Sequence, residues 1–265
     1  MPLETPCAND VPYHATVGAG ADMVLLHGWG MHAGVWEDVV EELADHHRVT
    51  VIDLPGHGFS RACGFGPDLR ALTSRVAAVA PQRAVWVGWS LGGLVAQRLA
   101  LDHPQRVAGL ALVASSPCFV ARPDWPHAME RAVLHQFAEG LGRDYRATLN
   151  RFLALEVHGS QGASTQLRQL KAMIFQHGEP DPRALADGLE ILETTDLRPE
   201  LSKLSCPLLL LLGRRDNLVP ASLGAAIQAR VSGARLRIFE EAGHAPFFSH
   251  LRDFTDCLGS FADDC

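Results

Sequence analysis

The chain is 265 residues long, carries a formal net charge of −7 and is 47% hydrophobic and 20% charged. That length suffices for one large α/β domain, and the balance of apolar and charged residues excludes wholesale disorder. The negative charge argues against nucleic-acid binding, which draws on a basic surface to displace counterions from phosphates, and no run approaches the roughly 18 uninterrupted apolar residues of a membrane span.

The N-terminal MPLETPCANDVPYH has no basic stretch followed by an apolar one, so no secretory signal is expected. Met23 to Gly30 reads as a buried strand running into a glycine loop, and Arg48 to Gly58 reads the same way. Helices are expected over Trp36 to Ala44 and Leu69 to Val79. A strand starts at Ala84 and gives way to a helix after Ser90, and Arg106 to Ser116 is a further strand. From about Arg122 to Arg198 no strand pattern occurs, and helical patterns such as AMERAVLHQFAEGL and TQLRQLKAMIF dominate. Cys206 to Asp216 and Ala234 to His244 complete the strands, with helices over Ala221 to Val231 and Phe254 to Phe261. Runs this apolar suit strands covered on both faces, and their alternation with helices predicts an α/β fold. An all-helical insertion in such a sheet lies over the carboxyl edge of the strands, where ligands bind. The expected organisation is a core of residues 1–121 and 199–265 with a helical lid over 122–198.

The six cysteines (Cys7, Cys63, Cys118, Cys206, Cys257 and Cys265) form no C-x-x-C and no zinc spacing. Reduced thiols in a cytoplasmic protein, with no bound metal, are expected. Gly18-x-Gly20 precedes the first strand instead of following it, so it is no dinucleotide fingerprint. Gly213-Arg214-Arg215 lacks the frame of a phosphate-binding loop.

Gly88-Trp89-Ser90-Leu91-Gly92 carries the strongest chemical signal. It fits G-x-S-x-G with an apolar strand before it and a helix after it, the context in which a serine is pushed out of a sheet edge on a tight turn. A serine hydroxyl needs a base to take its proton. His244 lies last in the chain order Ser, acid, His, in a loop after a strand pattern; His250 is the nearest rival. The acid belongs after a strand between Ser90 and His244, where Asp216 stands; Asp196 is the alternative, although it follows a helical pattern. Such an acid holds one imidazole tautomer and stabilises the imidazolium. Acyl transfer also needs two N–H donors for the developing oxyanion. Leu91 would supply one and Trp29, in His27-Gly28-Trp29-Gly30, the other. His27 and the Asp53 to Ser60 loop read as structural, and His46-His47 as a solvated turn.

With these residues assembled, the chain resembles the α/β-hydrolase superfamily and, more narrowly, the BioH-type carboxylesterases, the pimeloyl-[acyl-carrier protein] methyl ester esterases of biotin synthesis. The narrower resemblance rests on Leu25 to Gly30, Trp86 to Ala96, Val113 to Phe119, Arg151 to Leu155, Gly188 to Leu192 with Asp196-Leu197-Arg198, and Gly243 to Phe247. It implies a mostly parallel sheet flanked by helices, and cleavage of the methyl ester of a pimeloyl chain on acyl carrier protein without a cofactor. Ser90 would be nucleophile, His244 base and Asp216 orienter, with Trp29 and Leu91 at the oxyanion. The lid residues Phe152, Leu153, Ala154, Leu155 and Glu156 would pack along the acyl chain. The family's lid presents arginines to the acidic carrier. Arg151 and Arg168 match such positions, Arg146 lies beside a third, which is Ala147 here, and a fourth is Ser164. A monomeric, cytoplasmic enzyme is expected. The rival readings are a generalist short-chain carboxylesterase or thioesterase, a perhydrolase or C–C hydrolase using the same residues, and a hydrolase-fold binding protein without catalysis.

Overall fold

The computed structural model describes residues 10–265; Cys7 and most of the segment read for a secretory signal lie outside them. The chain runs β1 (His14–Val17), β2 (Ala21–Leu26), α1 (Glu37–Leu43), β3 (His47–Ile52), α2 (Leu69–Val79), β4 (Ala84–Trp89), α3 (Leu91–Asp102) and β5 (Val107–Val113). Four helices follow: α4 (Arg131–Arg143), α5 (Tyr145–Val157), α6 (Ala163–Met173) and α7 (Pro182–Thr194). The chain closes with β6 (Leu208–Gly213), α8 (Leu223–Gln228), β7 (Arg235–Phe239), α9 (Pro246–Ser249) and α10 (Leu251–Asp263).

The strands form one seven-stranded sheet in the order β1-β3-β2-β4-β5-β6-β7. Only the β1–β3 pair is antiparallel. Every residue of β4 and of β6 is buried, as a strand covered on both faces requires. Helices α2 and α3 pack together, as do α1 and α10, and α3 and α10 both lie against β5. The fold is the expected α/β-hydrolase architecture, with α4 to α7 inserted between β5 and β6. Two isolated bridges, Val120 to Met129 and Arg122 to Trp125, are the strand-like pairings at the start of that insertion.

Three sequence expectations change. Strand β1 was not anticipated: HATV is short and largely exposed, and it is held as a strand by its ladder to β3. His47 is not part of a solvated turn. It opens β3, is buried, and lies 3.3 Å from Asp263 on α10; its neighbour His46 is exposed. Cys118, Cys206, Cys257 and Cys265 are free thiols, but Cys63 is disulfide-bonded, which departs from a fully reduced set.

The sheet order determines where chemistry is possible. The chain builds outward from β2 to β3, then crosses back to β4, so the order reverses between β2 and β4. Loops leaving the two strands diverge there and open a crevice at their carboxyl ends. Leu26 pairs with Gly88 in this ladder, which brings the Trp29 loop beside Ser90. The loops after β6 and β7 leave from the same edge because those strands are also parallel.

Candidate active site

Ser90 joins β4 to α3 with φ 54 and ψ −117. Such a conformation costs a non-glycine residue about 1–3 kcal/mol and persists only where its surroundings dictate it. Here the Ser90 N–H donates to Val113 O at 3.0 Å, and Ser90 O accepts from Gly93 N–H at 3.0 Å and from Ser115 Oγ at 2.7 Å. The flanking glycines are a steric requirement. A Cβ on Gly88 would stand 2.4 Å from Gly92 O, and one on Gly92 would stand 2.6 Å from the carbonyl oxygens of Leu26 and His27.

Of the two expected oxyanion donors, Leu91 lies at this turn and Trp29 in the neighbouring loop after β2. Leu91 opens α3, so its N–H has no acceptor within the helix. Among the described residues neither Leu91 N–H nor Trp29 N–H is given to another acceptor. The Trp29 loop presses on Ser90, since a Cβ on Gly28 would lie 3.2 Å from Ser90 Cβ. The Trp29 indole N–H donates to Leu185 O on α7 at 2.8 Å, and its ring meets Phe152 of α5 edge-on at 4.8 Å. Behind the loop, His27 donates from Nδ1 to Gly28 O and accepts the Leu54 N–H at Nε2, both at 2.8 Å. Burial pushes its pKa well below the ordinary histidine value, so it is a neutral loop strut.

Asp216 and His244 meet from the ends of β6 and β7. His244 Nδ1 donates to Asp216 Oδ2 at 2.8 Å, with both side chains fully buried. Asp216 Oδ1 accepts the N–H groups of Leu218 at 2.7 Å and Val219 at 3.0 Å, which fixes the carboxylate. Its arginine neighbours are engaged elsewhere, Arg214 with Glu240 and Arg215 with Glu241. The rival acid Asp196 is held by Arg198, and the rival base His250 caps α10 and bonds Ser249 Oγ. Burial works against a charged His244, but the charge and hydrogen bond of Asp216, with a further contribution from Glu156, outweigh it and hold the pKa above the ordinary value. His244 Nε2 is buried and has no hydrogen-bond partner.

Two residues that hold His244 were not singled out from the sequence for that task. Trp89 donates its indole N–H to His244 O at 2.8 Å, and Glu156 O accepts His244 N–H at 2.9 Å. Trp89 stands inside the serine motif, a signal that was available; the reach of α5 to the His244 loop has no signature in spacing.

The five expected acyl-chain residues all fall on α5 but do not share one environment. Phe152, Leu153 and Glu156 are buried, whereas Ala154 and Leu155 are half-buried. The Phe152 ring meets Trp29, and the main-chain oxygen of Glu156, one helical turn on, accepts the His244 N–H. Arg146, Arg151 and Arg168 are exposed on α5 and α6. Arg146 is paired with Glu179. Arg151 reaches Thr148 Oγ1 at 3.3 Å and Arg168 reaches Thr165 Oγ1 at 3.5 Å, and among the described residues neither meets a carboxylate. No group of three or more metal-binding side chains occurs among the described residues, and none of their helices is long and apolar enough to cross a membrane.

Sheet order, the strained serine turn and the buried acid–imidazole pair define the class as hydrolases of the α/β-hydrolase fold. A family model described as alpha/beta hydrolase fold matches residues 23–251. An esterase from Exiguobacterium antarcticum superposes with a TM-score of 0.86 at 23% identity, covering 95% of each chain. A pimeloyl-[acyl-carrier protein] methyl ester esterase of Nitrosomonas europaea is 49% identical over 92% of this chain and 96% of its own length. Its namesake in Yersinia pseudotuberculosis is 42% identical over 95% of this chain and 97% of its own. At that identity and coverage the chain belongs to the pimeloyl-[acyl-carrier protein] methyl ester esterase family of α/β hydrolases.

Proposed function

We propose that this protein is a serine carboxylesterase that removes the methyl group from a pimeloyl methyl ester borne on acyl carrier protein, a step of biotin synthesis. The observation that carries the reading is the buried 2.8 Å Asp216–His244 pair at the sheet edge that also presents Ser90. The relatives named for this activity supply the substrate. Ser90 Oγ attacks the ester carbonyl as its proton passes to His244 Nε2. Asp216 stabilises the resulting imidazolium. The N–H groups of Trp29 and Leu91 receive the oxyanion. Collapse breaks the bond to the methoxy oxygen, which takes the proton from Nε2 and leaves as methanol. Water then adds to the acyl-enzyme, giving one proton to Nε2; that proton returns to Ser90 Oγ as the free carboxylate departs. No cofactor enters any step.

In this reading residues 122–198 form the lid. Phe152, Leu153, Ala154, Leu155 and Glu156 border the acyl path, and Phe152, seated on Trp29, brings that path to the oxyanion donors. Arg151 and Arg168 are the open cations for an acidic carrier, with Arg146 a lesser one because Glu179 already answers it. We further propose that the enzyme acts as a monomer in the cytoplasm, where it would meet acyl carrier protein. The neutralised Arg146 also favours a second reading, a generalist short-chain esterase with weak carrier docking. Two measurements separate them: kcat/KM on carrier-linked pimeloyl methyl ester against a free short-chain methyl ester, and growth of a biotin auxotroph lacking this esterase. Preference for the carrier-linked ester with restored growth supports the first reading. An expressed protein that turns over the free ester at least as well and does not restore growth overturns it.

A further inference from the structure

The Glu156 carboxyl takes part in no chemical step of the reaction above. The residue sits in the last turn of α5 and is 1% exposed. Both of its carboxyl oxygens are buried without a hydrogen-bond partner, while its main-chain oxygen receives the His244 N–H at 2.9 Å. A Cβ on Gly243 would come within 2.7 Å of that same oxygen, so α5 and the His244 loop are in close contact. Burying a polar group with no partner is costly, and an apolar side chain there would avoid the cost.

We propose that Glu156 is a positioning residue for His244: its main chain anchors the histidine loop, and its buried carboxyl is a second acid, beside Asp216, that sets how readily the imidazole carries charge.

The groups around it leave few alternatives. The charges that act on Glu156 come from His244, in the loop after β7, and Asp216, in the loop after β6. Ser160 and Gln166 bond each other and nearby main chain. Arg215 reaches Gly159 O but is paired with Glu241. Burial pushes the Glu156 pKa up to about 8; the attraction of His244 opposes that rise and the repulsion of Asp216 adds to it. Burial thus favours the protonated Glu156 carboxyl, while a charged His244 favours the ionised one. As Glu156 ionises at higher pH, its charge favours the imidazolium, so the two groups release protons as a coupled pair. The imidazole titration is then spread toward higher pH than one acid partner alone would place it.

This inference rests on His244 being the base, and the test separates the two claims. The His244 ring is followed by NMR from pH 5 to 9 in the intact wild type and in Glu156→Gln and Glu156→Met. In parallel, kcat/KM is measured on a soluble short-chain ester. The wild-type ring titration is expected to be broader than a single proton. Both variants should move its midpoint down by about one unit, narrow it, and carry the acid limb of kcat/KM with it. A wild-type ring that follows a single-proton curve, or a midpoint unmoved in a folded variant, overturns the proposal. A midpoint that moves while the kcat/KM limb stays in place upholds the positioning role and removes His244 as the base.

Discussion

Ser90 depends on backbone as much as on its hydroxyl. Its positive φ, the two flanking glycines and the carbonyl held by Ser115 and Gly93 hold the side chain at the crevice before any substrate arrives. Ser90→Ala keeps all of these restraints, because alanine retains the Cβ. It is expected to lose ester hydrolysis, leaving at most the roughly 10³–10⁴-fold acceleration over water that oxyanion donors and binding provide alone, with an unchanged melting temperature. Wild-type-like turnover by folded Ser90→Ala would remove the serine mechanism. His244 must be neutral to accept the serine proton. Its pKa is held above the ordinary value by Asp216 and Glu156 against burial. Activity is therefore expected to rise with pH, with the midpoint of kcat/KM above about 6.5. A pH–rate profile whose acid limb falls below that value contradicts the environment described for His244.

Helices α5 and α6 present different residues inward and outward. On its inner side α5 brings the Phe152 ring to Trp29 and the Glu156 main chain to His244, while the exposed positions of α5 and α6 carry Arg146, Arg151 and Arg168. Exposed charge pairs are each worth about 0.2–1 kcal/mol, so single changes should be small and a combined change larger. Replacing all three arginines with alanine is expected to lower turnover of carrier-linked ester several-fold and to weaken its salt dependence. Hydrolysis of a small soluble ester should hardly change. Arg151→Ala with Arg168→Ala should reproduce most of the effect, because Arg146 is already paired with Glu179. Kinetics on both substrates at two salt concentrations decide this: equal losses point to damaged helix packing, and no loss on either places the carrier elsewhere.

Across the whole molecule, buried ionisable groups make stability depend on pH in a definite sense. Burial pushes His32 and His57 down to about 4 and His27 well below its ordinary value. Below about pH 6.5 the unfolded chain protonates these rings while the native chain does not, so stability falls as pH drops toward 4. Burial acts oppositely on Asp53, pushed up to about 6, and on Glu156, pushed up to about 8. There the native chain keeps protons that the unfolded chain has released, and stability falls as pH rises through each window. Three imidazoles outweigh two carboxyls on the acid side, whereas Glu156 and His244 dominate above pH 7, so maximum stability is expected between about pH 6 and 7. A net difference of about one proton over 1.5 pH units is ~2 kcal/mol, or roughly 4–8 °C in a chain of this size. Calorimetry at pH 6.5 and 5 should show that fall, and His32→Gln should flatten it by about one proton. A melting temperature that rises toward pH 5 would overturn this assignment of charge states.

The amino-acid sequence by itself determined the buried strands, the serine turn and the order of acid and base. Each is encoded locally: uniform apolar runs for strands covered on both faces, and glycines two residues either side of Ser90 where a Cβ collides with main chain. Asp216 and His244 were legible because each follows an apolar strand, and parallel strands deliver such residues to one edge. Other features depended on partners distant in the chain. Strand β1 exists through its ladder to β3, and His47 is buried by α10. Arg146 reads as a free cation in the sequence, but Glu179, far along the insertion, pairs with it. In the sequence Glu156 reads as the last of five acyl-chain residues on one helix, with nothing that ties it to His244. Only the packing of α5 on the His244 loop buries its carboxyl within electrostatic reach of His244 and Asp216, because burial and electrostatic coupling belong to the assembled neighbourhood and have no period in the sequence.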